Sequence, residues 1–166
     1  MRKRYDEPGL TFATHMLAVA DVAVTLIEHA NGGRYELLEL ETEPTCWRTF
    51  TVSGATVIAL KPDLLAVTAD LSTETHSFIE VDLGTEHLPA VLRKCRTYQR
   101  YHATGIEDTT RGLFPAIVWI VPDAERATKL RTAITAERDL NDSLFWVVTP
   151  DAMLRQLAPY GPGITT

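Results

Sequence analysis

Lys61-Pro62-Asp63-Leu64-Leu65-Ala66-Val67-Thr68-Ala69, then Asp70-Leu71-Ser72-Thr73-Glu74, then Thr75-His76-Ser77-Phe78-Ile79-Glu80-Val81-Asp82 is the stretch on which the fold turns. Two apolar runs flank a short polar segment, the pattern of an antiparallel hairpin turning near Ser72 and Thr73. Such a turn brings the start of the first strand beside the end of the second, so Asp63 is expected opposite Glu80 or Asp82. Opposed residues lie about 5 Å apart at Cβ, and Glu80 and Asp82, two residues apart, share a face. Asp63, Glu80 and Asp82 are therefore candidate ligands of one divalent metal. Mg²⁺ suits them, because it takes hard oxygen donors, keeps several waters and needs only one or two carboxylates. A metal held there would polarise a phosphodiester and generate hydroxide. The competing reading is a solvated strand face, which alternates apolar and polar residues without any function. Against it, Asp63 precedes a run that is apolar on both parities, and Phe78 shares the face of Glu80. Both readings stay open on spacing alone.

Upstream of the hairpin, Leu17, Ala20, Val24 and Ile27 fall at helical spacing and predict an amphipathic helix over about His15 to Ala30, stopped by Asn31-Gly32-Gly33. Asp21, Thr25 and Glu28 form a polar stripe on another face. Arg34 to Leu40 reads as a strand, a polar loop runs through Pro44, and Thr56 to Leu60 leads into the motif. Downstream, a helix is predicted from about Leu88 to Ala103, with Pro89 near its start, Gly105 past its end, and Leu88, Val91 or Leu92, Cys95 and Tyr98 as the candidate buried side. Arg93, Arg96 and Arg100 make a basic stripe on it, and Lys94, Tyr98 and Tyr101 make a second line. Apart from the basic start at Arg2-Lys3-Arg4, this is the one concentration of positive charge in the chain, so Arg93, Arg96, Arg100, Tyr98 and Tyr101 are candidate nucleic-acid contacts; a solvated helix face is the alternative. Ala116 to Val121, a helix from Pro122-Asp123 to about Arg138, and Leu144 to Thr149 predict a right-handed crossover within a parallel part of the sheet. Trp119 and Trp146 are expected in the core. A short helix from Asp151 to Leu157 ends the pattern.

The chain has 166 residues with 45% hydrophobic content, enough for one α/β domain over 15–158, with an N-terminal extension over 1–14 and a flexible tail over 159–166. A net charge of −6 argues against gripping duplex DNA by bulk electrostatics, so DNA as a partner requires a local basic patch. Cys46 and Cys95 lack zinc-site spacing and read as reduced thiols of a cytoplasmic protein. Asp6 and Glu7 interrupt the basic start, and neither an export signal nor a membrane span is expected. The histidines show no ligand spacing, so His15 and His102 read as packing or surface residues.

The predicted order of helix, three mostly antiparallel strands, helix, strand, helix, strand, with Pro-Asp opening one motif strand and an acidic pair on the next, resembles the restriction-endonuclease-like fold, a mixed β-sheet flanked by helices with the PD-(D/E)xK signature. More narrowly, the chain resembles the replication-relaxation family of actinobacterial plasmids and integrative elements. His15 to Val22, Lys61-Pro62-Asp63, Phe78 to Glu86, and Lys94 with Tyr98 and Tyr101 carry the likeness. The resemblance implies that Asp63 and Glu80 are metal-binding acids. Asp82 stands where an active nuclease usually has lysine, so Lys94 or Lys61 would have to supply that charge. It also implies DNA as substrate or partner, with a relaxase or replication protein as a further partner. The N-terminal winged helix common in the family is expected to be missing before His15. A catalytically inactive accessory or protein-interaction module on the same fold is the alternative.

Overall fold

Residues 64–69 and 74–81 form the expected hairpin, paired from Leu64 opposite Ile79 to Ala69 opposite Glu74. Its turn is closed by Asp70, whose Oδ1 accepts the N–H groups of Ser72 at 2.8 Å and Thr73 at 2.7 Å, the Asx geometry that makes aspartate a turn former. The computed structural model describes residues 9–52 and 55–158; residues 1–8 of the expected extension and the tail over 159–166 lie outside the described residues.

In chain order the elements are α1 (Leu10–Asn31), β1 (Glu36–Thr42), β2 (Arg48–Val52), β3 (Thr56–Leu60), β4 (Leu64–Ala69), β5 (Glu74–Val81), α2 (Leu88–His102), α3 (Ile106–Arg111), β6 (Ala116–Ile120), α4 (Ala124–Ala136), β7 (Phe145–Val148) and α5 (Met153–Leu157). The main sheet has five strands in the order β1-β4-β5-β6-β7. β4 runs antiparallel to both β1 and β5, whereas β5, β6 and β7 run parallel. β2 and β3 form a separate antiparallel pair. The protein is thus a mixed α/β sheet covered on both faces by helices.

Alternation along the central strands explains the two cores. Leu64, Ala66, Ile79, Val81, Val118 and Ile120 meet α1 and α5 on one face, and Leu65, Val67, Phe78, Ile117 and Trp119 meet α2, α4 and the β2–β3 pair on the other. Phe78 anchors the second core, with ring centroids 5.8 Å from Tyr98 and 6.0 Å from Phe114. Burial of each such side chain stabilises the fold by about 1.5–3 kcal/mol. Pro89 starts α2 where its missing N–H is harmless, and Gly105, at φ 66°, takes the left-handed turn that separates α2 from α3. Asp123 caps α4 by accepting the N–H of Arg126 at 2.7 Å.

Several expectations are corrected. α1 begins at Leu10, inside the expected extension, and it buries Val19, Val22 and Leu26, leaving the predicted stripe of Leu17, Val24 and Ile27 facing out. The helix is apolar on most of its circumference, so helical spacing by itself did not select the packed face. By length and mean hydropathy alone α1 would pass for a membrane span, but Val19, Val22 and Leu26 pack it on the sheet. Trp119 is core, but Trp146 is 48% exposed, because β7 is the edge strand and its outer face is only partly covered.

Candidate functional site

Asp63 and Glu80 meet as the hairpin register requires, one step beyond the Leu64–Ile79 pair. The Asp63 N–H donates to the Ile79 carbonyl at 3.1 Å, which places Asp63 at the lip of the sheet. Its carboxylate Oδ2 accepts the Val81 N–H at 2.7 Å and lies 3.4 Å from His15 Nε2, which also lies 3.1 Å from the Val81 carbonyl. Behind this turn the buried Cys46 thiol donates to the Pro62 carbonyl at 3.1 Å, fixing the Pro62-Asp63 backbone. The structure therefore brings His15, expected as a packing or surface residue, to the candidate site. No local sequence signal marks it, because α1 is apolar on most of its circumference and its packed face is set by the sheet.

Glu80 projects from β5 toward α2. Its Oε2 is ion-paired with Lys94 Nζ, and its Oε1 accepts the Tyr98 hydroxyl at 2.5 Å. Lys94 and Tyr98, one turn apart on α2, converge on the same carboxyl because residues four apart share a helix face. Only 2% of Glu80 is exposed. Burial pushes its carboxyl up to about 8; Lys94 pulls the other way, and neighbouring Asp63 adds to the rise. Desolvation opposes the Lys94 charge, yet the Glu80 and Asp63 carboxylates outweigh it and raise its pKa. Burial and then Glu80 hold the Tyr98 hydroxyl well above its ordinary value, so it remains a donor.

Asp82 is adjacent but turned elsewhere. Its Oδ2 accepts from Arg126 Nε at 2.7 Å and its Oδ1 from the Gly84 N–H at 2.8 Å, while Arg126 also reaches the Glu86 carbonyl at 2.8 Å. Gly84 adopts φ 77°, and a Cβ there would meet Pro122 Cγ at 3.3 Å, so the turn after β5 demands glycine. This departs from the expected convergence of three carboxylates: among the described residues, no group of three or more acids, histidines or cysteines is placed to hold a metal. Arg126, which neutralises Asp82, lies 44 residues away and carries no local sequence signal.

Asp63, Glu80, Asp82 and Lys94 line one cleft of about 450 Å³, roofed by Thr11, Phe12 and His15 of α1 and floored by Trp119. Asp63 and Glu80 fit the donor chemistry of Mg²⁺: two hard carboxyls side by side, one of them desolvated and raised by the other, are what a cation relieves. Asp82 stands outside that pair, held instead by Arg126 and the Gly84 N–H. Lys61, the other candidate cation, lies 4.2 Å over the Trp47 ring.

The candidate nucleic-acid residues separate. Arg93 and Arg100 are exposed on α2, whereas Arg96 is paired with Glu137 and Asp139. Tyr98 and Tyr101 are buried and present no ring face to a base, a correction to the expected contact. Tyr101 instead donates at 2.7 Å to the buried Glu107, which also receives Arg48 at 2.9 Å and pairs with Arg111 at 3.2 Å. That network ties α3 to α2 and β2 and was not visible in the sequence.

Comparison with curated proteins and with solved structures gives no match. A family model described as replication-relaxation matches residues 1–117, a span that contains α1, the β4–β5 hairpin and α2 with every acid and the lysine of the cleft. The chain belongs to the replication-relaxation family.

Proposed function

We propose that the protein acts on DNA in the replication of a plasmid or mobile element, through a PD-(D/E)xK-type cleft built from Asp63, Glu80 and Lys94. Family membership supports the replication role. The order of α1, the antiparallel β1-β4-β5 group, α2 and parallel β6 is consistent with the restriction-endonuclease-like arrangement. The observation that carries the chemistry is the meeting of Asp63 and Glu80 at one cleft with Lys94 on the second acid. In this reading Asp63 and Glu80 hold Mg²⁺, which when bound supplies a Lewis acid and a nucleophilic water for phosphodiester hydrolysis. Lys94 stands in for the lysine that Asp82 displaces: it holds Glu80 in place and offers positive charge beside the reacting phosphate. Tyr98 fixes the Glu80 rotamer from the buried side. Arg93 and Arg100, exposed on α2, offer backbone phosphates a landing surface.

A second reading is favoured by a specific observation. Both Glu80 oxygens and both Asp82 oxygens already have protein partners, as in a site kept for structure by a non-catalytic DNA-associated accessory protein. Calorimetric titration of Mg²⁺ and Mn²⁺ into the wild type, Asp63→Ala and Glu80→Ala, with cleavage assays on single- and double-stranded DNA, separates the two. Metal binding lost in both variants together with metal-dependent cleavage supports the nuclease. DNA binding that weakens with salt, without metal uptake or cleavage, leaves the accessory protein.

A further inference from the structure

We propose that α1 pairs antiparallel with α1 of a second copy of this chain, through a seam of Leu10, Ala13, Leu17, Ala20, Val24 and Ile27. All six face outward, and the large ones show from 41% (Ile27) to 89% (Leu10) of their surface. They lie on the side of α1 away from the buried Val19, Val22 and Leu26. Their spacing alternates three and four residues, the 3.5-residue period of a coiled-coil seam, whereas a helix that only packs on a sheet needs no second apolar stripe.

The seam is complementary to itself when reversed. Centred between Leu17 and Ala20, it sets Leu17 against Ala20, Ala13 against Val24 and Leu10 against Ile27, so that each alanine receives a larger side chain. A parallel pair would stack alanine on alanine and leave gaps. Charge agrees with the reversed order. α1 holds no Lys or Arg, and its exposed acids are Asp21 and Glu28. Reversal brings Asp21 beside Thr14 of the second copy. It brings Glu28 to the other helix's N-terminus, where among the described residues no side chain caps the first N–H groups and the helix dipole favours an anion. With the flanking Met16, each copy offers on the order of 500–600 Å² of exposed apolar side chain, most of the roughly 800 Å² that a standard interface buries on each side. A lipid surface is the less favoured occupant, because membrane-surface helices carry Lys and Arg on their polar face and α1 carries acids.

Sedimentation equilibrium of the full chain over micromolar loading tests the pairing. A dimer is expected, and Leu17→Glu with Val24→Glu is expected to shift its midpoint by at least about tenfold while the circular dichroism spectrum stays that of the wild type. Leu17→Ala, which keeps helix propensity, weakens the dimer without adding charge to α1. Orientation is read by mixing Leu10→Cys and Ile27→Cys chains: a disulfide between the two kinds of chain supports the antiparallel seam. Self-crosslinking of each variant alone overturns it. A wild type that stays monomeric, a dimer indifferent to Leu17→Ala and to the double variant, or a monomer that binds neutral phosphatidylcholine vesicles through α1 also overturns the proposal.

Discussion

Glu80→Gln is expected to remove most of a pH dependence that this one buried carboxyl imposes on stability. With a folded pKa of about 8 against an ordinary 4.5, Glu80 binds its proton more tightly in the folded than in the unfolded chain. The stability it contributes is therefore complete below about pH 4.5 and is lost as pH rises through 8. Each pH unit in that window removes up to about 1.4 kcal/mol, and integration from about pH 5.5 to about pH 8.5 gives roughly 3 kcal/mol. Lys94 titrates above the window, its pKa being raised from 10.5, and does not confound it. Urea unfolding followed by tryptophan fluorescence, with Trp119 beside the cleft as a reporter, measures both proteins at both pH values. The wild type is expected to lose about 3 kcal/mol relative to Glu80→Gln between them. A difference that does not change with pH would refute the reasoning, because Glu80 would then titrate as an exposed carboxylate. Excess Mg²⁺ is expected to flatten the wild-type slope if Asp63 and Glu80 hold the cation, since bound charge favours the ionised form.

Glu107→Ala leaves Arg48 and Arg111 facing a buried void and is expected to cost about 3–5 kcal/mol in urea unfolding, with no change in metal uptake. Tyr98→Phe removes the hydroxyl donated to Glu80 and should lower stability by about 1–2 kcal/mol, with the greater loss at high pH, where the carboxylate is charged. Asp123→Ala removes the α4 cap and is expected to cost about 1 kcal/mol, read as a lower thermal midpoint.

What the residues disclose depends on whether an element is specified locally. The β4–β5 hairpin was legible because its apolar runs, the Asp70 turn and the flanking acids agree on one register. α2 was legible through Pro89 and Gly105, and its buried side through the spacing of Val91, Leu92, Cys95 and Tyr98; Tyr101 joins that side, so the two tyrosines assigned to DNA belong to the core. β2 escaped notice because only Phe50 in Arg48–Val52 is buried. α3 escaped because its one buried residue is the charged Glu107, held by distant arginines. At the site, Asp63, Glu80 and Lys94 were readable from spacing and resemblance. Arg126 reaches Asp82, and His15 the cleft, only through tertiary packing, and spacing cannot report that.

The position of the cleft follows from the sheet. β5 is the strand at which antiparallel pairing gives way to parallel, and Glu80 and Asp82 lie at its carboxyl end. In an open sheet with parallel strands, the crevice beyond the carboxyl ends is where helices diverge and side chains from several elements converge. Because β4 runs opposite to β5, its amino end lies at that same edge, which is how a residue before β4 comes to face one near the end of β5. Asp63 therefore owes its place to chain direction as much as to chemistry. α1 crosses this edge with His15 turned inward and Leu17 turned outward, so one helix contributes to the cleft and carries the exposed seam. A dimer built on that seam would hold two clefts in fixed relation, each roofed by the start of a helix whose other side is the interface.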